Sequence, residues 1–361
     1  MEYKRRISKK IRVGAVNIGG DAPISVQSMT KTDTRDVKAT ISQISRLKNA
    51  GCDIVRCAVP DMEAALALKD IKRHSPLPLV ADIHFDYRLA LAALDAGVDK
   101  LRINPGNIGG KDRLRKIAEA AKDRGIPIRV GVNSGSVPKD VLSEYSGPTW
   151  EALVESAKRS ISLLTNGDFD DIVVSLKSSD VMTTIQAYRG MAGLCDFPFH
   201  LGVTEAGGLR EGTIKSSIAL GILLMEGIGD TIRVSLTYEP EEEVKVGIAI
   251  LSGVGITKDN IEIISCPTCG RCQGDLIKIY DDVKKKLEGF EFPIKIAVMG
   301  CEVNGPGEAK EADVGVALGD KSGLIFSKGR PLERVLLDDI VPRLVEEAKR
   351  VGEEKLKCKI F

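Results

Sequence analysis

A chain of 361 residues is long enough for two domains at about 150 residues each, and its 52 Lys and Arg against 51 Asp and Glu leave a net charge of only +1. That balance argues against a nucleic-acid binder working by phosphate neutralisation, and 43% hydrophobic with 29% charged residues excludes wholesale disorder. No apolar run approaches the roughly 18 residues of a membrane span, and the charged start Met1-Glu2-Tyr3-Lys4-Arg5-Arg6 lacks the apolar core of a signal peptide, so the expected compartment is the cytoplasm.

In chain order, a strand is predicted at Ile24–Ser28, then an amphipathic helix over Asp36–Ala50 with Val37, Ile41, Ile44 and Leu47 on one face. Gly51 stops that helix and a second strand follows at Ile54–Ala58. The same helix–Gly–strand register recurs at Gly97 and at Gly125. Further strands are expected at Leu79–Ile83, Leu101–Ile103, Ile128–Val132, Ile172–Leu176, Phe199–Val203 and Ile232–Leu236. Alternating strands and helices on this scale suit a (β/α)8 TIM barrel of about 250 residues. An open doubly wound sheet has the same periodicity; strand count and spacing favour the barrel. After Gly255 the pattern changes to strands at Ile261–Ser265, Pro293–Val298, Val314–Leu318 and Leu324–Ser327, with a helix between the first two. A final helical segment is expected from about Leu332 to Val351, interrupted or restarted at Pro342. The expected division is a barrel over 1–257 and a smaller α+β domain over 258–361, joined at the polar stretch Thr257-Lys258-Asp259-Asn260.

Chemistry in a parallel barrel gathers at the C-terminal ends of the strands. Those ends carry Gln27-Ser28-Met29-Thr30, Arg56, Asp82-Ile83-His84, Arg102-Ile103-Asn104, Arg129 with Asn133, Ser175-Leu176-Lys177, Thr204-Glu205 and Arg233-Val234-Ser235. Four arginines and a lysine inside short apolar strands are costly unless something answers their charge. Internal pairing with Asp82 and Glu205 is one expected answer to it. The surplus favours a polyanionic ligand, and phosphate is the natural one because arginine grips it bidentately. His84, between Asp82 and Asp86, is the histidine best placed for a functional role. Pro105-Gly106-Asn107-Ile108-Gly109-Gly110-Lys111 resembles part of a P-loop but lacks its first Gly and its Ser or Thr, so a nucleotide reading fails there.

Four of the eight cysteines cluster late in the chain, as Cys266-Pro267-Thr268-Cys269-Gly270-Arg271-Cys272 and Gly300-Cys301, each after a predicted strand. Two strand ends can converge on one metal, and four thiolates fit either zinc or an iron–sulfur cluster. The Gly- and Pro-rich surroundings of Cys301, which can turn backbone N–H groups toward sulfide, favour the cluster.

Several motifs occur in order: Gln27-Ser28-Met29, Ala81-Asp82-Ile83-His84-Phe85, Arg102-Ile103-Asn104-Pro105-Gly106-Asn107-Ile108-Gly109 and Gly131-Val132-Asn133-Ser134-Gly135-Ser136. Gly202-Val203-Thr204-Glu205-Ala206-Gly207, Cys266-Pro267-Thr268-Cys269 and Cys301-Glu302-Val303-Asn304-Gly305-Pro306-Gly307-Glu308 follow. Together they closely resemble the 4-hydroxy-3-methylbut-2-enyl diphosphate synthase family, in its bacterial two-domain form, over nearly the whole chain. The resemblance implies a TIM barrel joined to a domain with a 4Fe-4S cluster held by Cys266, Cys269, Cys301 and Glu308. Cys272 departs from that pattern. It also implies the two-electron reductive ring opening and dehydration of 2-C-methyl-D-erythritol 2,4-cyclodiphosphate in the methylerythritol phosphate route to isoprenoids. Arg56, Arg102, Arg129, Asn133, Lys177 and Ser235 would then hold the diphosphate. Glu205 would protonate the leaving hydroxyl, with Asp82 and His84 beside it. Ferredoxin or flavodoxin would supply electrons, and the family's homodimer would pair one chain's barrel with the other's cluster.

Overall fold

A hairpin missing from the predicted elements comes first: β1 (Ile11–Val13) and β2 (Val16–Ile18), antiparallel and turned at Gly14, whose φ of +59° suits glycine. Three-residue strands are too short to show a period, which is why the sequence hides them. Val13 and Ile18 are fully buried and pack against Ile54 and Val80. Those two residues lie at the starts of barrel strands, so the hairpin stoppers the barrel's N-terminal end.

The computed structural model describes residues 4–256, 261–290, 292–303 and 309–359. It divides into two units, Met1–Val254 and Gly255–Phe361. The join expected at 257–258 lies outside the described residues. Among those described, no helix is long and apolar enough to cross a membrane.

The first unit contains β3 (Ser25–Met29), β4 (Ile54–Val59), β5 (Leu79–Ile83), β6 (Lys100–Ile103), β7 (Ile128–Asn133), β8 (Ile172–Lys177), β9 (His200–Leu201) and β10 (Thr231–Ile232). Neighbours from β3 to β8 pair in parallel, and β10 pairs with both β9 and β3. A parallel bridge between Val174 and Phe199 joins β8 to the strand at β9. The ring therefore closes, and the open-sheet alternative falls. Asp36, Asp61, Asp86 and Asp180 each cap the helix that follows by accepting a backbone N–H. Such caps contribute about 1 kcal/mol each, and this one fixes Asp86 as a structural neighbour of His84.

Alternation along the strands sends one residue set toward the helices and the other inward. The inward set is unusually polar: Gln27, Arg56, Asp82, Lys100, Arg102, Arg129, Lys177 and His200 are all buried.

The second unit is a five-stranded sheet of the described residues in sequence order: β11 (Glu262–Ser265), β12 (Lys295–Met299), β13 (Val314–Leu318), β14 (Ser322–Ser327) and β15 (Arg330–Leu336). The first three are parallel and the last two antiparallel. Helices Leu276–Lys286 and Ile340–Lys359 cover one face through Leu276, Val283, Ile340, Leu344 and Ala348. Arg330–Leu336 corrects the expected helical start at Leu332: it is an exposed edge strand with no buried face to impose alternation. The last helix begins at Ile340 and carries Pro342 in its first turn, where a missing N–H breaks no intrahelical bond.

Candidate active site

At the C-terminal ends of the barrel strands a pocket of about 210 Å³ is lined by Met29, Arg56, Asp82, His84, Arg102, Arg129, Asn133, Ser175, Lys177, Thr204, Arg233 and Ser235. Eight of the expected site residues meet here: Arg56, Asp82, His84, Arg102, Arg129, Asn133, Lys177 and Ser235. Parallel register explains the convergence. Asp82 stands opposite Arg102, and Arg102 opposite Arg129, on successive strands. Asn133 likewise faces Lys177. Glycines at inward positions leave room for the long side chains. A Cβ on Gly131 would stand 2.7 Å from Arg102 Nε, and one on Gly202 would stand 2.4 Å from Lys177 Nζ.

Five cations line the wall against one carboxylate. Arg102 Nη1 donates to Asp82 Oδ1 at 3.0 Å and lies 2.6 Å from His84 Nε2, which is itself 3.4 Å from Asp82 Oδ1. Arg56 Nε lies 3.8 Å from Asp82 Oδ2. Burial alone would raise the Asp82 carboxyl, but Arg56, the His84 hydrogen bond and Arg102 outweigh it and hold the group well below the usual carboxylate range. Arg56 is itself pushed down, by burial and by its neighbours Arg233 and Arg102. Arg129 and Lys177 are likewise held well below their ordinary values by burial and by the surrounding cations. A site that favours the charged form of its acid and disfavours that of its bases has a net positive excess, and a bound anion relieves it. Arg129 shows the same from another side: it is 1% exposed, and its Nε and Nη1 have no partner among the described residues.

Asp82 is ionised at neutral pH, its carboxyl being held well below the ordinary range. Its ion pairs contribute in full above the unfolded carboxyl range near pH 4 and are lost only as pH falls through the depressed folded value. Asp82→Ala at neutral pH strands Arg56 and Arg102, and should lower the unfolding free energy by about 3 kcal/mol, read from the urea midpoint. An unchanged midpoint would show that the pairing contributes nothing to the fold.

Sequence reasoning counts Arg233 among the strand-end cations but does not place it at the ligand. The structure puts it in the wall, 3.4 Å from Glu243 Oε2. Glu243 is 1% exposed and also accepts from Ser28 Oγ and the Leu236 N–H, both at 3.0 Å. It comes from the helix Pro240–Gly253, where nothing in the sequence marks one glutamate among its neighbours.

Glu205 does not line the pocket. It follows Thr204, which does, and is exposed with φ at +52°. Phe85, next to His84, is also left-handed at φ +64° and is 68% exposed. Left-handed non-glycine residues at two strand ends are backbone strain held at the barrel mouth.

In the second unit, parallel pairing sets Ser265 opposite Val298, so the turns carrying Cys266 and Cys301 leave the same edge of the sheet. The Gly300 N–H donates to Cys266 Sγ at 3.2 Å, and the Cys272 N–H donates to Cys269 O at 2.9 Å. A Cβ on Gly300 would meet Cys272 Sγ at 2.8 Å. Burial raises the Cys272 thiol, and Cys266, Cys269 and Cys301 add to that, so all four thiols share one neighbourhood. Among the described residues, no three of His, Cys, Asp and Glu stand together closely enough to hold an ion. Glu308 and the rest of 304–308 lie outside the described residues. Soft thiol donors with a backbone N–H aimed at sulfur are a donor set that fits an iron–sulfur cluster.

Comparison with known proteins meets this geometry from a separate direction. Residues 8–248 match the GcpE TIM-barrel domain and residues 262–350 the GcpE protein C-terminal domain. The 4-hydroxy-3-methylbut-2-en-1-yl diphosphate synthase (flavodoxin) of Ruminiclostridium cellulolyticum is 57% identical over 344 residues, covering 95% of this chain and 98% of that protein. Its namesake from Thermodesulfovibrio yellowstonii is 56% identical over 347 residues, covering 96% and 99%. Among solved structures, the type I 3-dehydroquinate dehydratase of Clostridium difficile matches 68% of this chain and 99% of its own at a TM-score of 0.50 and 13% identity, a likeness of barrel fold alone. With both domain models matched and more than half of its residues identical over nearly its full length, the chain belongs to the 4-hydroxy-3-methylbut-2-en-1-yl diphosphate synthase family.

Proposed function

We propose that this chain catalyses the two-electron reductive ring opening and dehydration of 2-C-methyl-D-erythritol 2,4-cyclodiphosphate to (E)-4-hydroxy-3-methylbut-2-enyl diphosphate, the reaction of the methylerythritol phosphate pathway for which its relatives are named. The observation that carries this reading is the pocket wall, with five cations to one carboxylate at the catalytic end of a barrel. The reaction takes up two electrons and one proton and releases water, turning a cyclic dianion into an open trianion. Arg56, Arg102, Arg129 and Lys177, joined by Arg233, answer the diphosphate charge. Asn133 and Ser235 supply neutral contacts that orient it. Glu205 is the proton donor to the departing hydroxyl, which requires its side chain to turn toward the ligand. Asp82, held ionised, keeps the Arg56 and Arg102 guanidiniums and the His84 ring in place.

Cys266, Cys269, Cys301 and Glu308 would hold a 4Fe-4S cluster, which when bound supplies electrons one at a time. The electron donor is flavodoxin, as the relatives' names say of them, with ferredoxin the alternative carrier. The working form is a homodimer, which light scattering would report as a mass near twice the 38.9 kDa of one chain; a mass of one chain would overturn it.

The substrate class is tested by thermal unfolding. The cyclic diphosphate at about 100 times its Kd should stabilise the protein by about 2.7 kcal/mol, while inorganic phosphate at the same concentration gives a much smaller shift. Equal shifts from the two ligands would contradict a site shaped for the diphosphate.

A further inference from the structure

Beneath the pocket lies a second polar layer that the reaction described above does not use. Lys100 opens β6 one inward position below Arg102 and pairs in register with Val80. Its side chain is fully buried, and its Nζ has no partner among the described residues. Both ring nitrogens of His200, both amide atoms of Gln27 and the Thr231 hydroxyl share that condition. Below them, Val13 and Ile18 of the hairpin seal the barrel against Ile54 and Val80. The layer is closed to solvent from beneath and open in charge only toward the pocket.

The groups around Lys100 are almost all of its own sign. Arg56 stands on β4, Arg102 on β6 and Arg129 on β7. Lys177, His200 and Arg233 follow round the wall, and the hairpin contributes only apolar side chains here. Asp82 on β5 is the carboxylate of this wall and is already engaged by Arg56, Arg102 and His84. Burial, Arg129 and Arg56 together push the amine's hold on its proton well down. A diphosphate offsets part of that positive field. At an effective dielectric of about 20, two negative charges placed about 10 Å from an amine would favour its protonated form by roughly 250-fold.

We propose that Lys100 is the charge-balancing residue of the anion site, taking up one proton when a diphosphate seats in the pocket above it. This rests on the diphosphate reading given above and deepens it: the ammonium then lies beneath a ligand that gains a negative charge when its ring opens. Lys100 acts through the field, without touching substrate.

The test is calorimetry of the cyclic diphosphate binding to the cluster-loaded protein, oxygen-free and without reductant, in buffers of differing ionisation enthalpy. The ligand's phosphates do not titrate near neutral pH, so the dependence on buffer counts protons taken up by the protein. His200 and Lys177 can contribute, so the readout is the difference between native protein and Lys100→Met. The variant should take up about one proton fewer and bind at least about 10-fold more weakly. Native affinity should fall as pH rises, because binding takes up protons, and the variant should lose one tenfold step per pH unit of that slope. Lys100→Gln gives the same comparison through a second uncharged side chain if the Met variant does not fold. Equal proton counts in native and variant protein overturn the role of Lys100 while leaving the diphosphate site intact. Failure of the native protein to bind the ligand overturns that site and this role with it.

Discussion

Cys266→Ser, Cys269→Ser and Cys301→Ser are each expected to yield colourless protein with no stoichiometric iron and only background activity, because each removes a thiolate from the proposed cluster. Cys272→Ser should keep its colour and most of its activity. Cys272 Sγ lies 3.6 Å from the Gly274 carbonyl, a contact in which a thiol donates to that oxygen. Glu308, the proposed fourth ligand, would supply a hard carboxylate, more labile than a fourth thiolate. Iron content and visible absorption, measured after anaerobic reconstitution, decide the assignment. Loss of the cluster in Cys272→Ser with retention in Glu308→Ala would exchange the roles of those two residues.

Arg102→Ala and Arg129→Ala should raise KM or abolish turnover while the cluster persists. Losing one charge-assisted phosphate contact removes about 1.5–3 kcal/mol, roughly 10- to 150-fold in affinity. The two variants should differ in stability, which separates ligand binding from internal pairing. Arg102 bonds Asp82 and His84, so its loss also unpairs a buried carboxylate and lowers the urea midpoint. Arg129 Nε and Nη1 have no partner among the described residues, so its removal relieves a buried cation and should leave the midpoint unchanged or higher. Unfolding of both variants, with ligand binding unaffected in any refolded fraction, would show that these arginines serve the fold alone.

The legible parts of this molecule are those where one physical constraint acts along contiguous sequence. Helices such as Val37–Asn49 bury one face and end before a Gly, so their period and their stops are written locally. The pocket was legible for a related reason: Arg56, Asp82, Arg102, Arg129 and Lys177 are charges inside short apolar runs, and barrel closure sends such positions to one mouth. What escaped depends on distant partners or on the absence of burial. Glu243 meets Ser28 and Arg233 only once the helix Pro240–Gly253 docks on the barrel. Lys100 reads as an ordinary strand residue until the register places it below Arg102 and the hairpin closes the space beneath. The edge strand Arg330–Leu336 buries too little to alternate, and its sequence passes for the start of a helix. At the cysteines, spacing announces the chemistry, but which groups ligate depends on loop geometry that spacing does not encode.

The central claim is that a cationic barrel pocket and a cluster-binding domain together open a cyclic diphosphate reductively. The most direct measurement is single-product turnover: the anaerobically reconstituted chain, 2-C-methyl-D-erythritol 2,4-cyclodiphosphate and reduced flavodoxin, with products resolved by mass spectrometry and phosphorus NMR. The predicted result is (E)-4-hydroxy-3-methylbut-2-enyl diphosphate formed at one molecule per two electrons consumed, with none formed when flavodoxin is oxidised. Iron-loaded, folded protein that binds the cyclic diphosphate yet leaves its ring closed under reduced flavodoxin would contradict it.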